Sequence, residues 1–338
     1  MSLSGRREKV LKIVVDEYIT GAMPVASQTI TCSHNMEVSP ATVRNDMASL
    51  EEEGYIIRPH PSAGAIPTDK AYRHYVESVS LDVKLSLAEQ YLVYELFQET
   101  QEEMEQWLKL AAALLSRFVR NVAVITSPKA PQCHFKHLGI VALHDFVALL
   151  ILVLHEAKIG QKILSSDTKF TQENLTMLAN KLNSAYGGMT SSEISTGKIE
   201  LSPEEKQVTE HIIEMMAAED NMRHGRPYLV GLHLMLSQPE FANNPRGLDV
   251  LELLENEGWL ETVLQAEHSR TRIKVIIGKE NTDELLQDLS LIVGEYGTPD
   301  KAKGIVGVLG PKRMDYAKAI SSVNCLSTLL SESIVSYI

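Results

Sequence analysis

Arg44 and Asn45 stand side by side near the start of a short segment, residues 38–54, that carries helix-boundary signals at both ends. An arginine side chain can form two hydrogen bonds with O6 and N7 of guanine, and an asparagine can form two with N6 and N7 of adenine. The methyl groups of Thr42 and Ala48 can pack against the methyl group of thymine. We therefore predict that the outward face of this segment reads base edges through Ser39, Thr42, Arg44, Asn45 and Ala48.

The ends and the inner face of this segment predict a helix that can position those side chains. Ser39 can accept a hydrogen bond from an unpaired backbone N–H, and Pro40 has no first-turn N–H to lose. Gly54 suits the left-handed residue that ends many helices. One stripe at helical spacing is apolar and is expected to face inward; it comprises Val43, Met47 and Leu50.

Two further helical segments precede this one. Residues 6–19 keep apolar side chains at helical spacing until Gly21 and Pro24, and residues 26–34 form a second candidate helix. Three short helices with brief joints are typical of a helix-turn-helix unit, whose third helix enters the major groove of DNA. Judged on the third helix alone, a solvent-facing helix of a protein-interaction module is an equal alternative.

A β-wing follows the third helix and favours the nucleic-acid interpretation. Residues 55–58 and 65–66 read as two short strands around a turn-rich tip, and Thr68 begins another helix. Basic side chains on a wing and on the helix after it can contact the phosphate backbone. The candidates for phosphate contacts are Arg58, His60, Lys70 and Arg73.

Composition restricts the possible classes of protein. The chain has 338 residues, of which 44% are hydrophobic and 22% charged, which is typical of a soluble protein with two or three domains. A net charge of −12 disfavours indiscriminate coating of nucleic acid but permits a site-specific binder. The longest apolar run, residues 146–154, falls short of the ~20 residues that a membrane-spanning helix needs. With three widely separated cysteines and no leader pattern, we expect a cytoplasmic protein without a membrane span.

No catalytic, metal-binding or cofactor-binding pattern emerges from the sequence. Residues 133–137 offer three possible zinc ligands, whereas a structural zinc site needs four. Gly304, Gly307 and Gly310 are better explained as turn and packing glycines than as a phosphate-binding loop. The histidines have no accompanying nucleophile motif, so an enzyme is the least favoured class. We predict neither a metal nor a cofactor.

The rest of the chain mixes helices and strands. Residues 85–118 are helical, amphipathic helices fit residues 172–185 and 203–218, and a last helix fits residues 314–335. The strand-like segments are residues 137–143, 146–154, 272–278, 289–293 and 304–309. This mixture, with hairpin-length joints between several strands, predicts an α+β multidomain chain.

Several motifs together resemble those of a known family. Residues 38–47 and 59–70, followed by Tyr72 and Arg73, resemble the N-terminal signature of the HrcA family of heat-inducible transcription repressors. The later motifs of that family are similar, in order, to residues 236–241, 277–281 and 310–316. The resemblance therefore covers nearly the whole chain.

The resemblance implies a division into domains. It implies a winged helix-turn-helix domain over residues 1–80 and connector helices over residues 81–120. A GAF-like α+β domain is expected in two halves, residues 121–190 and 265–338, with a dimerising segment inserted over residues 191–264. Apolar side chains of this insert are candidate dimer anchors, and the alternative is that they form the insert's own core. They are Leu251, Leu254, Trp259, Leu260 and Leu264.

The function that the resemblance implies is repression of heat-shock (chaperone) operons. A homodimer is expected to bind the two arms of an inverted-repeat operator in double-stranded DNA and to be released by heat. The GroE chaperonin is expected to keep the repressor competent. The alternative is a winged-helix regulator whose GAF-like domain senses a small molecule.

Overall fold

The structure is a computed structural model that describes most of the chain. The described residues are 3, 5–33, 38–60, 63–78, 85–99, 104–155, 159–166, 168–197, 199–221, 225, 227–241, 246–256, 259–260, 272–298 and 302–337. The chain divides into two compact units. The main unit comprises Met1–Ser127, Arg226–Gly297 and Gly304–Ile338, and the inserted unit comprises Pro128–Gly225 and Thr298–Lys303.

The winged helix-turn-helix domain at the start of the main unit has the predicted order of elements. Its helices are α1 (Gly5–Gly21), α2 (Ser27–Ser33), α3 (Pro40–Glu52) and α4 (Asp69–Ser78). Its wing is the antiparallel pair β1 (Ile56–Ile57) and β2 (Ile66–Pro67), which lies between α3 and α4 in the chain. Fully buried side chains of α1, α2 and α3 share one core that includes Val10, Val14, Ile30, Val43 and Leu50.

Helix α3 has the boundaries that the sequence predicts. The hydroxyl of Ser39 accepts a hydrogen bond from the backbone N–H of Thr42 at 3.2 Å, and Pro40 occupies the first turn. Gly54, after the helix, has a φ of +76°, a conformation that glycine adopts without the steric penalty of a side chain. The predicted inner stripe is buried and consists of Val43, Met47 and Leu50.

Two helices follow the winged helix in the chain, as expected for residues 81–120. They are α5 (Leu87–Glu99) and α6 (Met104–Val119). Helix α6 leads into strand β3 (Val122–Thr126), all of whose residues are buried. A strand covered on both faces carries a nearly continuous apolar run instead of an alternating one. The sequence did not predict this strand.

The inserted unit is built on a three-stranded antiparallel sheet. Its strands lie in the order β4 (Phe135–His144), β5 (Val147–Leu154) and β6 (Ile159–Ser165). Its helices are α7 (Gln172–Tyr186), α8 (Ser191–Thr196) and α9 (Pro203–Asn221). Sheet and helices share one core, which includes Phe135, Leu150, Leu182 and Ile212.

The extent of this unit corrects the predicted domain boundaries. From the sequence, residues 121–190 are expected in the GAF-like domain and residues 191–264 in the insert. The structure instead places residues 128–190 in the inserted unit and residues 226–297 in the main unit. Alternating apolar strands look alike in either sheet, so the local pattern does not show which sheet β4 and β5 join.

The GAF-like domain of the main unit contains a five-stranded sheet. Its order is β7 (Pro227–Val230), β3, β10 (Ala302–Pro311), β9 (Leu289–Thr298) and β8 (Ile273–Ile277). Strand β3 pairs antiparallel with β7 and β10, and β8 pairs antiparallel with β9. Helices α10 (Leu232–Leu236), α11 (Arg246–Glu255) and α12 (Tyr316–Tyr337) also belong to this domain.

Both faces of the five-stranded sheet are covered. Successive side chains of a strand point to opposite faces, so each face of β3 joins a different core. Ala123 and Ile125 pack in a core with residues of α6 and α12. Val122 and Val124 pack in a second core with residues of α10 and α11. The sheet is therefore an internal frame of the main unit.

Three of the predicted dimer anchors belong to the second of these cores. Trp259 is only 3% exposed, and Leu254 and Leu260 are buried beside it. Leu251 is half-buried, and Leu264 lies outside the described residues. The structure contradicts a role as dimer anchors for the three buried side chains, because they already cover the five-stranded sheet. The alternative that they form the chain's own core accounts for their apolar character.

Candidate nucleic-acid interface

The outward face of α3 carries the predicted base-reading pair. Arg44 and Asn45 are exposed, and Ala48 is half-buried one turn further along the helix. Ala41 is exposed one turn before them and belongs to the same face at spacings of three and four residues. Ala41 was not among the predicted residues, although the same helical spacing points to it.

Arg44 and Asn45 are free to bind a ligand. Within the part of the chain that the structure describes, neither side chain forms a hydrogen bond or an ion pair. Their donor and acceptor groups match guanine and adenine edges in the major groove. The small side chains of Ala41 and Ala48 on either side leave room for the helix to approach the bases closely.

Ser39 and Thr42 lie at the first turn of α3 and are engaged with each other. Their hydroxyl oxygens are 3.0 Å apart, and the Ser39 oxygen also accepts from the backbone N–H of Thr42. Ser39 is exposed and Thr42 is half-buried. The structure thus gives Ser39 a capping role in addition to its predicted place on the reading face.

A carboxylate is held on the opposite side of α3. Asp46 is 6% exposed, and its two oxygens accept hydrogen bonds from Arg6 of α1 at 2.7 and 2.9 Å. This bidentate pair ties the rear of α3 to α1. It also keeps a negative charge away from the side of the helix that would approach phosphate groups.

Arg58 and Lys70 make surface contacts within the winged helix-turn-helix domain. The Nε of Arg58 donates to the Oε2 of Glu51 at 2.8 Å. The Nζ of Lys70 donates to the carbonyl of Glu53 at 2.7 Å and lies 4.2 Å from the centre of the Tyr55 ring. The Arg58–Glu51 pair is partly exposed and Lys70 is exposed, so these contacts contribute little free energy and a phosphate group can compete with them.

Arg73 faces the GAF-like domain. Its Nε donates to Oε1 of Glu280 at 2.8 Å, and its Nη2 donates both to the other oxygen of Glu280 and to the carbonyl of Val275, the latter at 2.8 Å. The hydrogen bond to Glu280 raises the pKa of Arg73. The structure contradicts the prediction of a phosphate contact here, because a partner 207 residues away in the chain occupies the guanidinium. His60, by contrast, is exposed on the wing.

Comparison with protein families decides the class of this protein. The model for the HrcA protein C terminal domain matches residues 105–320, and the model for a DeoR-like helix-turn-helix domain matches residues 27–68. The chain belongs to the HrcA family. This membership confirms the resemblance that the sequence motifs indicate. It also confirms the predicted class, a DNA-binding, heat-inducible transcription repressor that is not an enzyme.

Similar proteins match the HrcA-family chain over almost its full length. The heat-inducible transcription repressor HrcA of Dehalococcoides mccartyi (strain ATCC BAA-2266 / KCTC 15142 / 195) is 41% identical over 97% of this chain and 95% of its own. The protein of the same name from Herpetosiphon aurantiacus is 38% identical over 98% and 95%. A crystal structure of a hypothetical protein at 2.2 Å resolution has a TM-score of 0.66 and 25% identity, covering 100% of both chains.

The helix-turn-helix match coincides with the interface built above. In this HrcA-family chain it spans α2, α3 and the wing, which are the elements that carry Arg44, Asn45 and Arg58. The HrcA C-terminal match begins within α6 and continues into α12, so it includes residues of both compact units. Apart from Lys70, the candidate DNA contacts therefore lie in the part of the chain that the helix-turn-helix model recognises.

The inserted unit presents a second candidate surface, an apolar face of its sheet. Val141, Leu149 and Ile163 lie side by side on the three strands, with Ile151 and Ile159 on the same face. Val141 is 43% exposed and Ile163 is 65% exposed. The opposite face of the sheet packs against α7 and α9. These five side chains, here called the open sheet face, form the kind of exposed apolar patch that marks interaction sites.

Two kinds of feature are absent from the residues that the structure describes. No described helix combines the length and the apolar character needed to cross a membrane. No described group of three or more His, Cys, Asp or Glu side chains could hold a metal ion. The absence of a cofactor stays a prediction from the sequence.

Proposed function

We propose that this repressor binds an inverted-repeat operator as a homodimer, controls heat-shock (chaperone) operons and is released by heat. The observation that carries the proposal is the free outward face of α3, on which Arg44 and Asn45 have no partner among the described residues. Similar proteins are named heat-inducible transcription repressors, which supports the response to heat.

A homodimer is expected because one reading helix contacts too few base pairs for tight binding. A single α3 reaches only a few base pairs, so one subunit of this acidic chain gains limited affinity from base readout. A two-fold axis would present two α3 helices to the two arms of an inverted repeat. Tethering then raises the effective concentration of the second contact to about the millimolar range.

The open sheet face supports a contact between subunits through the inserted unit. Two copies packed face to face about a two-fold axis would remove Val141, Ile159 and Ile163 from water. Burial of apolar surface stabilises by about 25 cal/mol per Å², and a stable contact covers roughly 800 Å² on each partner. This surface takes the place of the predicted anchors that are buried in the main unit.

Membership of the HrcA family further supports a role for the GroE chaperonin in keeping the repressor competent, in the cytoplasm where its operator lies. Repressor refolded with the chaperonin should contain a larger operator-binding fraction than repressor refolded alone. Titration with operator DNA of known concentration measures that fraction. Equal fractions in both preparations would argue against the chaperonin.

A footprint tests the central proposal. The wild-type chain should protect an inverted repeat in the region upstream of the organism's own chaperonin genes, and protection should decline on heating. Scrambling one arm of the repeat should weaken binding by about 100-fold or more, because the second tethered contact is lost. Equal affinity for the intact and the half-scrambled repeat would refute binding as a dimer.

A further inference from the structure

Three sequence motifs that the DNA-reading face does not use lie together in the main unit. Residues 277–281 follow strand β8, residues 310–316 lead from β10 into α12, and residues 236–241 follow α10. Side chains and backbone groups of these motifs meet beside α1 and α4 of the winged helix-turn-helix domain. Their contacts therefore join the reading domain to the five-stranded sheet.

Asp69, the first residue of α4, is held by two of these motifs. Its carboxylate accepts a hydrogen bond from the backbone N–H of Lys279 at 3.0 Å and pairs with the Nζ of Lys312 at 2.9 Å. Gly278 has a φ of +54°, and a Cβ there would lie 2.3 Å from Oδ2 of Asp69. The conformation favours glycine, and a larger residue would displace this carboxylate.

Arg73 continues the same line of contacts one turn further along α4. Its guanidinium forms two hydrogen bonds with the carboxylate of Glu280. Because both groups are planar, this pair fixes the orientation of the Arg73 side chain as well as stabilising the contact. Glu280 also accepts a hydrogen bond from the backbone N–H of Ile277 at 2.8 Å. The loop that carries Glu280 therefore positions its carboxylate for the contact with Arg73.

Arg313 makes a separate connection to helix α1. Its Nη1 donates to the carbonyl of Ile19 at 2.9 Å, while its Nε and Nη2 donate to the carboxylate of Glu240 at 2.5 and 3.1 Å. The Nη2 also donates to the side-chain oxygen of Gln238 at 3.1 Å. The Arg313 side chain is only 14% exposed, and its hydrogen bond to Glu240 raises its pKa.

We infer that these contacts form a clamp that sets the orientation of the reading helix α3 relative to the sheet of the GAF-like domain. The clamp consists of Asp69, Arg73, Glu240, Glu280, Lys312 and Arg313. The clamp contacts α1 and α4 at separate points, so it restricts rotation of the whole winged helix-turn-helix domain. Glu240, Glu280, Lys312 and Arg313 are positioning residues for operator binding.

The inference rests on the proposed homodimer. Orientation of α3 matters when two such helices must reach two arms of an operator at one fixed spacing. The Arg73–Glu280 and Lys312–Asp69 pairs are partly exposed and contribute little to folding, so a weakened clamp is expected to change the orientation of the winged helix-turn-helix domain. A weakened clamp leaves each reading face intact and lowers the effective concentration of the second contact.

The test uses the full-length chain and three kinds of DNA. A double variant, Glu240→Gln with Glu280→Gln, removes the two carboxylates of the clamp without changing side-chain size. Its matched control, Glu252→Gln with Glu284→Gln, removes two exposed carboxylates of the same unit. Each protein is titrated with the intact repeat, with a single half-site and with repeats whose arms are moved apart by a few base pairs.

The clamp predicts an effect confined to the intact repeat. The double variant should bind the intact repeat at least about tenfold more weakly, bind the half-site unchanged and discriminate less between arm spacings. The control should match the wild type on all three. An equal loss on half-site and repeat would overturn the inference, and so would unchanged binding throughout. Tighter binding of the double variant to the half-site, with a steeper salt dependence, would also overturn the inference. Arg73 would then be a phosphate contact that Glu280 blocks in the wild type.

Amide hydrogen exchange gives a readout that needs no DNA. The backbone N–H of Lys279 donates to Asp69 across the clamp, so its exchange should be about tenfold faster in the double variant, with strand β9 unchanged. Glu280→Asp, which keeps a carboxylate, should restore part of the protection. Unchanged exchange at Lys279 overturns the clamp. A wild-type chain that binds repeat and half-site equally refutes the homodimer instead, and the exchange result still judges the clamp.

Discussion

Arg44 on α3 and Arg73 on α4 carry the same charge in the same small domain, yet their surroundings differ. Arg44 is exposed and has no partner among the described residues, whereas Arg73 is held by Glu280 and the carbonyl of Val275. The difference shows that residue type and position in a motif do not establish a DNA contact. The side chain must also be available in the folded chain.

The two sheets show the same contrast between occupied and free surfaces. The five-stranded sheet has cores on both faces, and Trp259 and Leu260 complete one of them. The three-stranded sheet has a core on one face and the open sheet face on the other. Apolar residues serve folding in the first case and are free to serve association in the second.

The largest effect is expected from charging the open sheet face. Val141→Asp with Ile163→Asp should convert a dimer into a monomer, because two carboxylates on each copy would lose water at the contact. Binding to the intact repeat should fall by a factor of about 10² to 10⁴, while half-site binding persists. Sedimentation and band-shift titration measure the two effects.

Two controls sharpen the contrast between the sheets. Met177→Asp changes an exposed apolar residue, 58% exposed, on a helix that covers the other face, and the dimer should survive it. Val124→Asp buries a carboxylate in the five-stranded sheet and should unfold the main unit instead of dissociating a folded dimer. A double-aspartate variant that still sediments as a dimer would place the contact elsewhere.

A smaller effect on operator binding is expected from substitutions on the outward face of α3. Arg44→Ala and Asn45→Ala should each lower discrimination at one particular operator base by about 1–3 kcal/mol, because a two-bond contact to that base is lost. Titration against operators with single base changes measures this. Lys109→Ala and Asn180→Ala are matched controls, since both residues are exposed on other helices. Equal losses on operator and random DNA would contradict base readout.

The smallest effect distinguishes Arg58 and Lys70 from Arg73. Arg58→Ala and Lys70→Ala should each reduce the slope of log affinity against log salt concentration by about one unit, because each removes one phosphate contact. Arg73→Ala should leave that slope unchanged, since its partner is Glu280. Titrations at several salt concentrations decide the matter. A reduced slope for Arg73→Ala would show that Arg73 contacts phosphate. Unchanged slopes for Arg58→Ala and Lys70→Ala would show that these two side chains do not.

Prediction from the sequence succeeded where its signals are local. The Ser39 cap, Gly54 and the stripe of Val43, Met47 and Leu50 all act within one helix, and the structure confirms them. Strands β4 and β5 were likewise found close to their predicted bounds. Strand β3 was missed because its five residues follow directly after the helical pattern of residues 85–118, and periodicity alone cannot distinguish so short an apolar run from a buried helix segment.

The sequence by itself determined the winged helix-turn-helix domain, the outward face of α3 and the family of the chain, because caps, turns and periodic stripes involve residues only a few positions apart. Only the tertiary structure decided which sheet β4 joins, that Trp259 is core, and that Arg73 is committed to Glu280. Each of these depends on contacts between distant parts of the chain, 207 residues apart for the last pair. Local periodicity carries no information about such partners, since a buried anchor and an exposed one can have the same residue type and spacing.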